Sequence, residues 1–485
     1  MKKFYTLFFV LTVLICTINA ATIYVSSVGT GGGTSWTDTK DLAAAITAAT
    51  SSDEIWVKAG TYNATATILS LVSKKIYGGF AGTESVKTER VKSDMDGNGL
   101  TEPWEFTNES KIDGGGLYRV FSVSGNGAVV DGMVFQNGFY NVASDGSNTG
   151  TGLSITGGAT NTISIKNCTV RGNKTTTVGA TTNYQNGAPG VYAEGLYVTL
   201  DGCLIEKNIL DMITGATATS PSGLTTNGGG IMLYNSCLKN SIVRNNICKT
   251  MFNNGSNNIV RGAGIFARYY ASNQSTPVTL PRIINCVVAN NEILSWGQTS
   301  SLQGAGLYVY DAGYVQNCTV VKNKFTTFIN TNGTGAEKAI GDGAGLYVRM
   351  ASNGSLGWPN RYVHNTVCWG NYSPSSTSGS KEIYLHTTTD WSTVEFKNVI
   401  TTEQYNGYSM LDVNCTNGGV KKLTASACVM NASTDNATIK FNSISSVAGT
   451  GSDAEVKANW SLQYDSYLKG LGANISGLTT DLMAN

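Results

Sequence analysis

The stretch NCTVVKN, residues 317–323, carries a thiol, β-branched residues and an asparagine at each end, and nothing that marks a site. Its near copies decide the fold. NCTVRGN ends at Asn173, GCLIEKN at Asn208, NSIVRNN at Asn246, NCVVANN at Asn291 and NTVCWGN at Asn371, and an earlier DGMVFQN ends at Asn137. Aligned on the last asparagine, the third of the final six residues is Val134, Val170, Ile205, Val243, Val288, Val320 or Cys368, always apolar. The first is Gly132, Cys168, Cys203, Ser241, Cys286, Cys318 or Thr366, always small. The fourth is Phe135, Arg171, Glu206, Arg244, Ala289, Val321 or Trp369, without restriction. Restricted and free positions that alternate have the period of a strand with one buried face. The closing asparagine is expected to end the strand in a turn, since asparagine tolerates left-handed backbone.

A second string precedes each copy: GTGLSIT from Gly150, GAPGVYAE from Gly187, GGGIMLY from Gly228, GAGIFAR from Gly262, GAGLYVY from Gly304 and GAGLYVR from Gly343. KEIYLH from Lys381 fits the same frame without glycines. Each unit therefore reads as turn, strand, short connection, strand, asparagine and a variable loop. The asparagines recur every 32 to 48 residues, which is the spacing of a repeat protein. Like strands that stack in register make parallel sheets. A chain that coils, adding a rung of about 4.8 Å each time, achieves this without crossover helices. The pattern predicts an all-β parallel β-helix. The small first position becomes an internal column of Cys, Ser and Thr, read as buried thiols rather than disulfides, because stacked parallel neighbours have poor disulfide geometry.

Composition agrees. Of 485 residues only 13% are charged, with 57 Gly and 7 Pro, which suits a β-rich fold with many turns. The first twenty residues, MKKFYTLFFVLTVLICTINA, read as a secretory signal cleaved near Ala20. The apolar run is short for a membrane anchor, and Ile15 before Cys16 is too bulky for lipoprotein cleavage. Loss of Lys2 and Lys3 takes the formal charge from +1 to −1, which argues against a nucleic-acid partner. No later apolar stretch is long enough to span a bilayer. Nine cysteines remain without CxxC pairs or Cys/His clusters, so a zinc site is not expected. Near the start, DLAAAITAAT (41–50) offers an N-cap and helix formers that would plug the first rung, and EIWVKAGTY and KKIYGGF read as early strands. The expected order is signal peptide 1–20, N-terminal cap and first rungs 21–112, β-helix repeats 113–445, and a C-terminal rung and cap 446–485.

The chain resembles a known group at this point. GAGLYV paired with a short strand ending in asparagine resembles the GGA-[ILV] and FxxN repeats of chlamydial polymorphic membrane proteins, and VFQN (134–137) matches the second element. The N-terminal IYVSSVGTGGGTSW…DLAAAI…DEIWVKAGTY…IYGGFAGTE looks like the start of secreted, pectin lyase-like right-handed β-helix proteins common in Bacteroidetes. The resemblance implies a right-handed coil across most of the mature chain. It says little of activity, because this architecture carries lyases, hydrolases, adhesins and passenger domains. Neither the amphipathic strand series of an autotransporter barrel nor an appended sorting domain is visible in the sequence.

Two places offer chemistry. The outward residues of the glycine strands should stack in two rows: Tyr192, Met232, Phe266, Tyr308, Tyr347, Tyr384, and Glu194, Tyr234, Arg268, Tyr310, Arg349, His386. Long loops, for example 174–189, 210–229 and 324–344, would wall this face into a groove. Tyr and Arg suit an extended polysaccharide, since rings stack on sugar faces and Arg bonds carboxylates or hydroxyls. The same residues are also ordinary outward β residues covered by those loops. The second place is DMDGNGLTEPWE (94–105), which fits D-x-[DN]-x-[DN]-G-x5-E position by position. Asp94, Asp96, Asn98, the Leu100 carbonyl, Glu102 and Glu105 would hold a structural Ca²⁺, with Gly99 at the sharp turn. Pro103 and the β context argue against a helix–loop–helix; an acidic solvated turn is the plain alternative.

Catalytic signals are thin. His364 and His386 are the two histidines. Arg268, Arg349 and His386 would be parts of a uronate lyase, yet no acidic cluster sits on the same strands to hold a metal, and the isolated Asp311 and Asp342 do not make a glycosidase pair. The sequence thus favours an exported, monomeric, non-catalytic protein whose Tyr/Arg face binds a polysaccharide or cell-surface glycan. A polysaccharide lyase or a purely structural stalk are the other readings.

Overall fold

The computed structural model describes residues 20–142, 149–177, 184–185, 187–213, 225–252, 258–269, 281–297, 300–310, 313–328, 340–350, 361–373, 382–387, 394–397 and 399–401, with short strands between 416 and 462. The expected signal segment and most of the expected C-terminal cap lie outside the described residues.

Three parallel sheets make the coil. A rung runs along a nine-stranded sheet, bends into a twelve-stranded sheet and crosses into a ten-stranded sheet; Ile265–Arg268, Arg282–Ile284 and Val287–Ala289 are one such set. These are called here the glycine sheet, the middle sheet and the asparagine sheet. Register is kept from rung to rung, as in Val191, Ile231, Ile265, Leu307, Leu346 and Ile383, which stand in one file. The chain is a right-handed parallel β-helix. Its open start is covered by the helix Leu42–Ala48, where the Asp41 side chain accepts from the Ala44 amide at 3.1 Å. Leu42, Ala45 and Ile46 are buried in the same core as Val25, Ile55, Leu71 and Ile76.

The inner file of the asparagine sheet is Phe135, Val170, Ile205, Val243, Val288, Val320 and Cys368, each fully or almost fully buried. This corrects the alignment of the first copy by one residue. Thr169 pairs with Val134 and Val170 with Phe135, so Phe135 faces in and Met133 takes the place opposite Cys168 that Gly132 was expected to fill. The sequence DGMVFQNG carries no asparagine at the equivalent final position, which is Gly138, and Asn137 misled the alignment. The corner column behaves as expected: Cys168, Cys203, Ser241, Cys286, Cys318 and Thr366 are buried, and the cysteines are free thiols. The structure adds a reason for these residue types. Each bonds the carbonyl two residues back: Cys168 to Lys166 at 3.0 Å, Ser241 to Lys239 at 2.6 Å, Cys286 to Ile284 at 3.2 Å, Thr366 to His364 at 2.9 Å. The column selects small side chains that carry a donor, which Cys, Ser and Thr share and Ala lacks.

The closing asparagines do something other than turn the chain. The left-handed residue is the one before, Gly172, Lys207, Asn245, Asn290, Lys322 or Gly370, with φ between 55° and 66°. Asn173, Asn208, Asn246, Asn291, Asn323 and Asn371 are themselves buried. Their amides form a continuous ladder, each Nδ2 donating to the Oδ1 of the next rung at 2.9–3.0 Å. Each Nδ2 also donates to a carbonyl of the preceding rung, for example Asn291 to Val243 at 3.0 Å, and each Oδ1 accepts a backbone amide as well, for example Asn246 to Asn291 at 3.0 Å. The ladder ends on Glu382, whose Oε1 accepts from the Asn371 amide at 3.0 Å.

This ladder explains why the two sequence strings travel together. A Cβ on Gly230 would lie 2.7 Å from Asn246 Nδ2, and one on Gly306 would lie 2.7 Å from Asn323 Nδ2. The second glycine of each GxG makes room for the asparagine that closes the same rung. The first supplies left-handed backbone, as at Gly304 with φ 61°.

The segments beyond the asparagines are not simply loops. They leave as strands Phe139–Val142, Lys174–Thr177, Ile209–Ile213, Ile247–Phe252, Glu292–Gly297 and Lys324–Phe328, a six-stranded parallel sheet. They return as Tyr184–Gln185, Thr225–Asn227, Asn258–Arg261, Ser300–Gln303 and Ile340–Asp342, a five-stranded one. Leu210, Met212, Cys248, Val260, Ile293, Leu302 and Phe325 form a separate apolar core there. The tips of these segments lie outside the described residues. Among the described residues, no helix is long and apolar enough to cross a membrane.

Candidate functional site

The acidic stretch is closed by backbone rather than by helices. Lys92 and Phe106 form an antiparallel bridge, and Ser93 N–H donates to the Glu105 carbonyl at 3.1 Å. Inside the loop, Asp94 accepts the amides of Gly97, Asn98 and Gly99 at 2.7, 3.2 and 2.8 Å. Gly97 and Gly99 have φ of 73° and 87°, which permits that tight wrap. Glu105 Oε1 accepts the amides of Met95 and Asp96 at 2.9 and 3.2 Å, and its Oε2 accepts that of Glu102 at 2.9 Å. Asp94, Asp96 and Glu105 each offer an oxygen, and these lie within 4.8 Å of one another. Asn98 Nδ2 donates to Glu102 Oε1 at 2.7 Å. Glu102 is 1% exposed, and its Oε2 is buried without a hydrogen-bond partner. Burial, aided by the neighbouring Glu105, pushes the Glu102 carboxyl up to about 9.

The loop is fastened to the asparagine sheet. Asp96 Oδ2 accepts from Arg244 Nη2 at 3.2 Å, and Nε of the same guanidinium donates to Glu206 at 2.9 Å. Arg244 and Glu206 are the outward residues of successive rungs and are buried. Trp104 packs with Leu204 and Ile242 on the same surface, and the Pro103 ring lies against Gly202.

On the glycine sheet, both expected rows stand in register. The first row is not a surface. Tyr192, Met232, Phe266, Tyr308 and Tyr347 are buried, stacked as Phe266–Tyr308 at 5.4 Å and Tyr308–Tyr347 at 5.1 Å. Arg261, arriving on the returning strand, lies 5.2 Å from the Tyr308 ring. Burial raises the Tyr308 and Tyr347 hydroxyls above their ordinary range. Tyr234 in the second row is also buried, and Glu194 accepts a hydrogen bond from Tyr192 at 2.7 Å. Among the described side chains of the two rows, Glu194 stays half-exposed at one end, and beyond the buried Tyr234 a narrow strip does so too: Arg268, Tyr310 and Arg349, with Tyr384 beside it. The guanidiniums of Arg268 and Arg349 sit over the Tyr310 ring at 4.7 and 4.9 Å, one from each adjacent rung. The His386 backbone pairs with Arg349, while its side chain lies outside the described residues.

The sequence reading missed an aromatic pair on the middle sheet. Tyr314 and Tyr362 stack at 5.2 Å, His364 packs on Tyr362 at 5.0 Å, and His364 lies 3.6 Å from Glu395. Burial lowers His364 below its ordinary value. The sequence marks the pair by a shared YVxN at 314–317 and 362–365, a short string set between the two longer recurring ones.

No protein-family model matches the chain, and no curated protein matches it. A solved structure, the crystal structure of pectate lyase Pel9A, is similar over 96% of both chains, with a TM-score of 0.40 and 15% identity.

Proposed function

We propose that the protein is an exported, non-catalytic β-helix that binds an extended glycan along the Arg268–Tyr310–Arg349 strip. The observation that carries this reading is the pair of guanidiniums held either side of one half-exposed ring. The exposed edge of a ring clasped by two guanidiniums offers a sugar an apolar contact flanked by donors for carboxylates or hydroxyls. Glycans bearing acidic sugars fit it best. A lyase reading needs a metal or another neutraliser beside these arginines. The acid cluster instead meets Arg244, on the asparagine sheet, whereas Arg268 and Arg349 stand on the glycine sheet. That separation favours binding over catalysis.

A glycan array on the full chain, beside an absorbance screen for unsaturated uronate products, tests this. Binding to uronate-bearing glycans should weaken at least about tenfold in Arg268→Ala with Arg349→Ala. Binding unchanged by that double substitution overturns the strip, and unsaturated products from any uronide overturn the non-catalytic reading.

A further inference from the structure

The loop at 94–105 holds more charge than its contacts need. An oxygen shell around Ca²⁺ has a radius of about 2.4 Å, so ligands on opposite sides stand roughly 4.8 Å apart. The oxygens of Asp94, Asp96 and Glu105 fall inside that span. Three carboxylates brought this close repel one another unless a cation lies between them. Hydrogen bonds within the loop explain its shape, but they do not explain Glu102. Its carboxyl lies against Glu105 and Asp96, is 1% exposed, and keeps Oε2 without a partner. With no cation present, that oxygen is satisfied only by sharing a proton with Glu105, and a bound cation takes the place of that proton.

We infer that the loop binds one Ca²⁺ through Asp94, Asp96, Glu102 and Glu105, and that the bound ion fixes the loop as a clamp across the rungs that carry Glu206 and Arg244. The clamp follows from connectivity. Asp96 belongs both to the cluster and to the Arg244–Glu206 network, and Trp104, beside Glu105, packs on Leu204 and Ile242. A segment from the start of the coil is thereby tied to residues 148 positions later. The ion shapes the loop, and the loop presents Asp96 and Trp104 to the later rungs. This site stands on a different sheet from the glycan strip, so the two readings succeed or fail separately.

Terbium titration of the full chain tests the site, because Trp104 adjoins Glu105 and sensitises a lanthanide bound there. Luminescence should saturate at one equivalent and be displaced by Ca²⁺. Asp94→Asn with Glu105→Gln should weaken affinity at least tenfold, and Glu102→Gln, which preserves shape, should weaken it less. Trp104→Phe should retain Ca²⁺ binding by calorimetry and lose the luminescence. No binding at millimolar Ca²⁺, or binding that survives both acid variants, overturns the site. Hydrogen exchange at 204–206 and 242–244 should slow on adding Ca²⁺ to the wild-type chain and stay unchanged in Asp94→Asn with Glu105→Gln at a concentration that loads only the wild type. Binding without any slowing overturns the clamp.

Discussion

Asn246→Ala removes the middle of the amide ladder. The Asn246 side chain accepts from the Asn208 amide at 3.1 Å and from Asn208 Nδ2 at 3.0 Å, and it donates to Ile205 O and Asn291 Oδ1 at 3.0 and 2.9 Å. After truncation, Asn291 Oδ1 still accepts the residue 246 amide, and Asn208 Nδ2 still reaches Val170. Two buried donors lose their partner, the Asn208 amide and one Asn208 Nδ2 hydrogen, while the Ile205 and Arg244 carbonyls each lose one donor and keep the sheet. The site is fully buried. Each unsatisfied donor costs about 1–3 kcal/mol, so the loss is about 4 kcal/mol. In a coil whose rungs contact only their neighbours, that loss is felt locally. Native-state hydrogen exchange of the Asn208 amide is the direct assay. At 1.4 kcal/mol per decade, about 4 kcal/mol is roughly a thousandfold faster exchange. Asn63→Ala, at an exposed strand position, is the control and should change stability by less than about 0.5 kcal/mol. If Asn246→Ala exchanges and melts like that control, the ladder is not a structural determinant.

Other outcomes follow from the same geometry. Gly230→Ala places a Cβ 2.6 Å from Gly264 O and 2.7 Å from Asn246 Nδ2, and should lower stability by about 2 kcal/mol or more in a thermal melt. Arg244→Met leaves Glu206 buried without its cation and should cost about 3–5 kcal/mol; adding Glu206→Gln should recover part of that, measured by denaturant titration. Burial pushes Cys203 up to about 12, so it stays a protonated thiol in the fold and should resist alkylation at pH 8 until the chain unfolds. Because the folded value lies above the unfolded value of about 8.5, its contribution is complete below that pH and declines as pH rises from about 8.5 to 12. Melting temperature should therefore fall across that interval, and Cys203→Ser should lessen the fall.

Much of the coil was legible because its information is local and repeated. A period of two set inside from outside at Val170, Ile205 and Val320, and the rows through Tyr308 and Tyr310 fell into the predicted register. The errors share a cause. Asn137 and Asn173 are the same residue type, yet one adopts left-handed backbone and the other joins the ladder; only the hydrogen-bond partner above distinguishes them. The outward row of aromatics and its cover by the segments beyond the asparagines were both readable, but that those segments are themselves stacked parallel strands was not, because they carry no repeated string. Arg244 looked unrestricted in its column. Its partner Asp96 is contributed by a loop far away in sequence, and no local period reports that contact.

The amide ladder also has a direction. From Gly138 onward every bond onto an asparagine Oδ1 of the ladder runs the same way, from a donor on one rung to the Oδ1 of the next, so these bonds add along the coil axis instead of cancelling. Such a chain has unlike ends. It begins on a backbone N–H and finishes on a side chain that can only receive, Glu382, whose two oxygens take both remaining donors of Asn371. A seventh asparagine would have relayed the series onward, whereas a carboxylate stops it. The residue at that position therefore sets how many rungs the ladder counts, and it forbids the array from being read backwards.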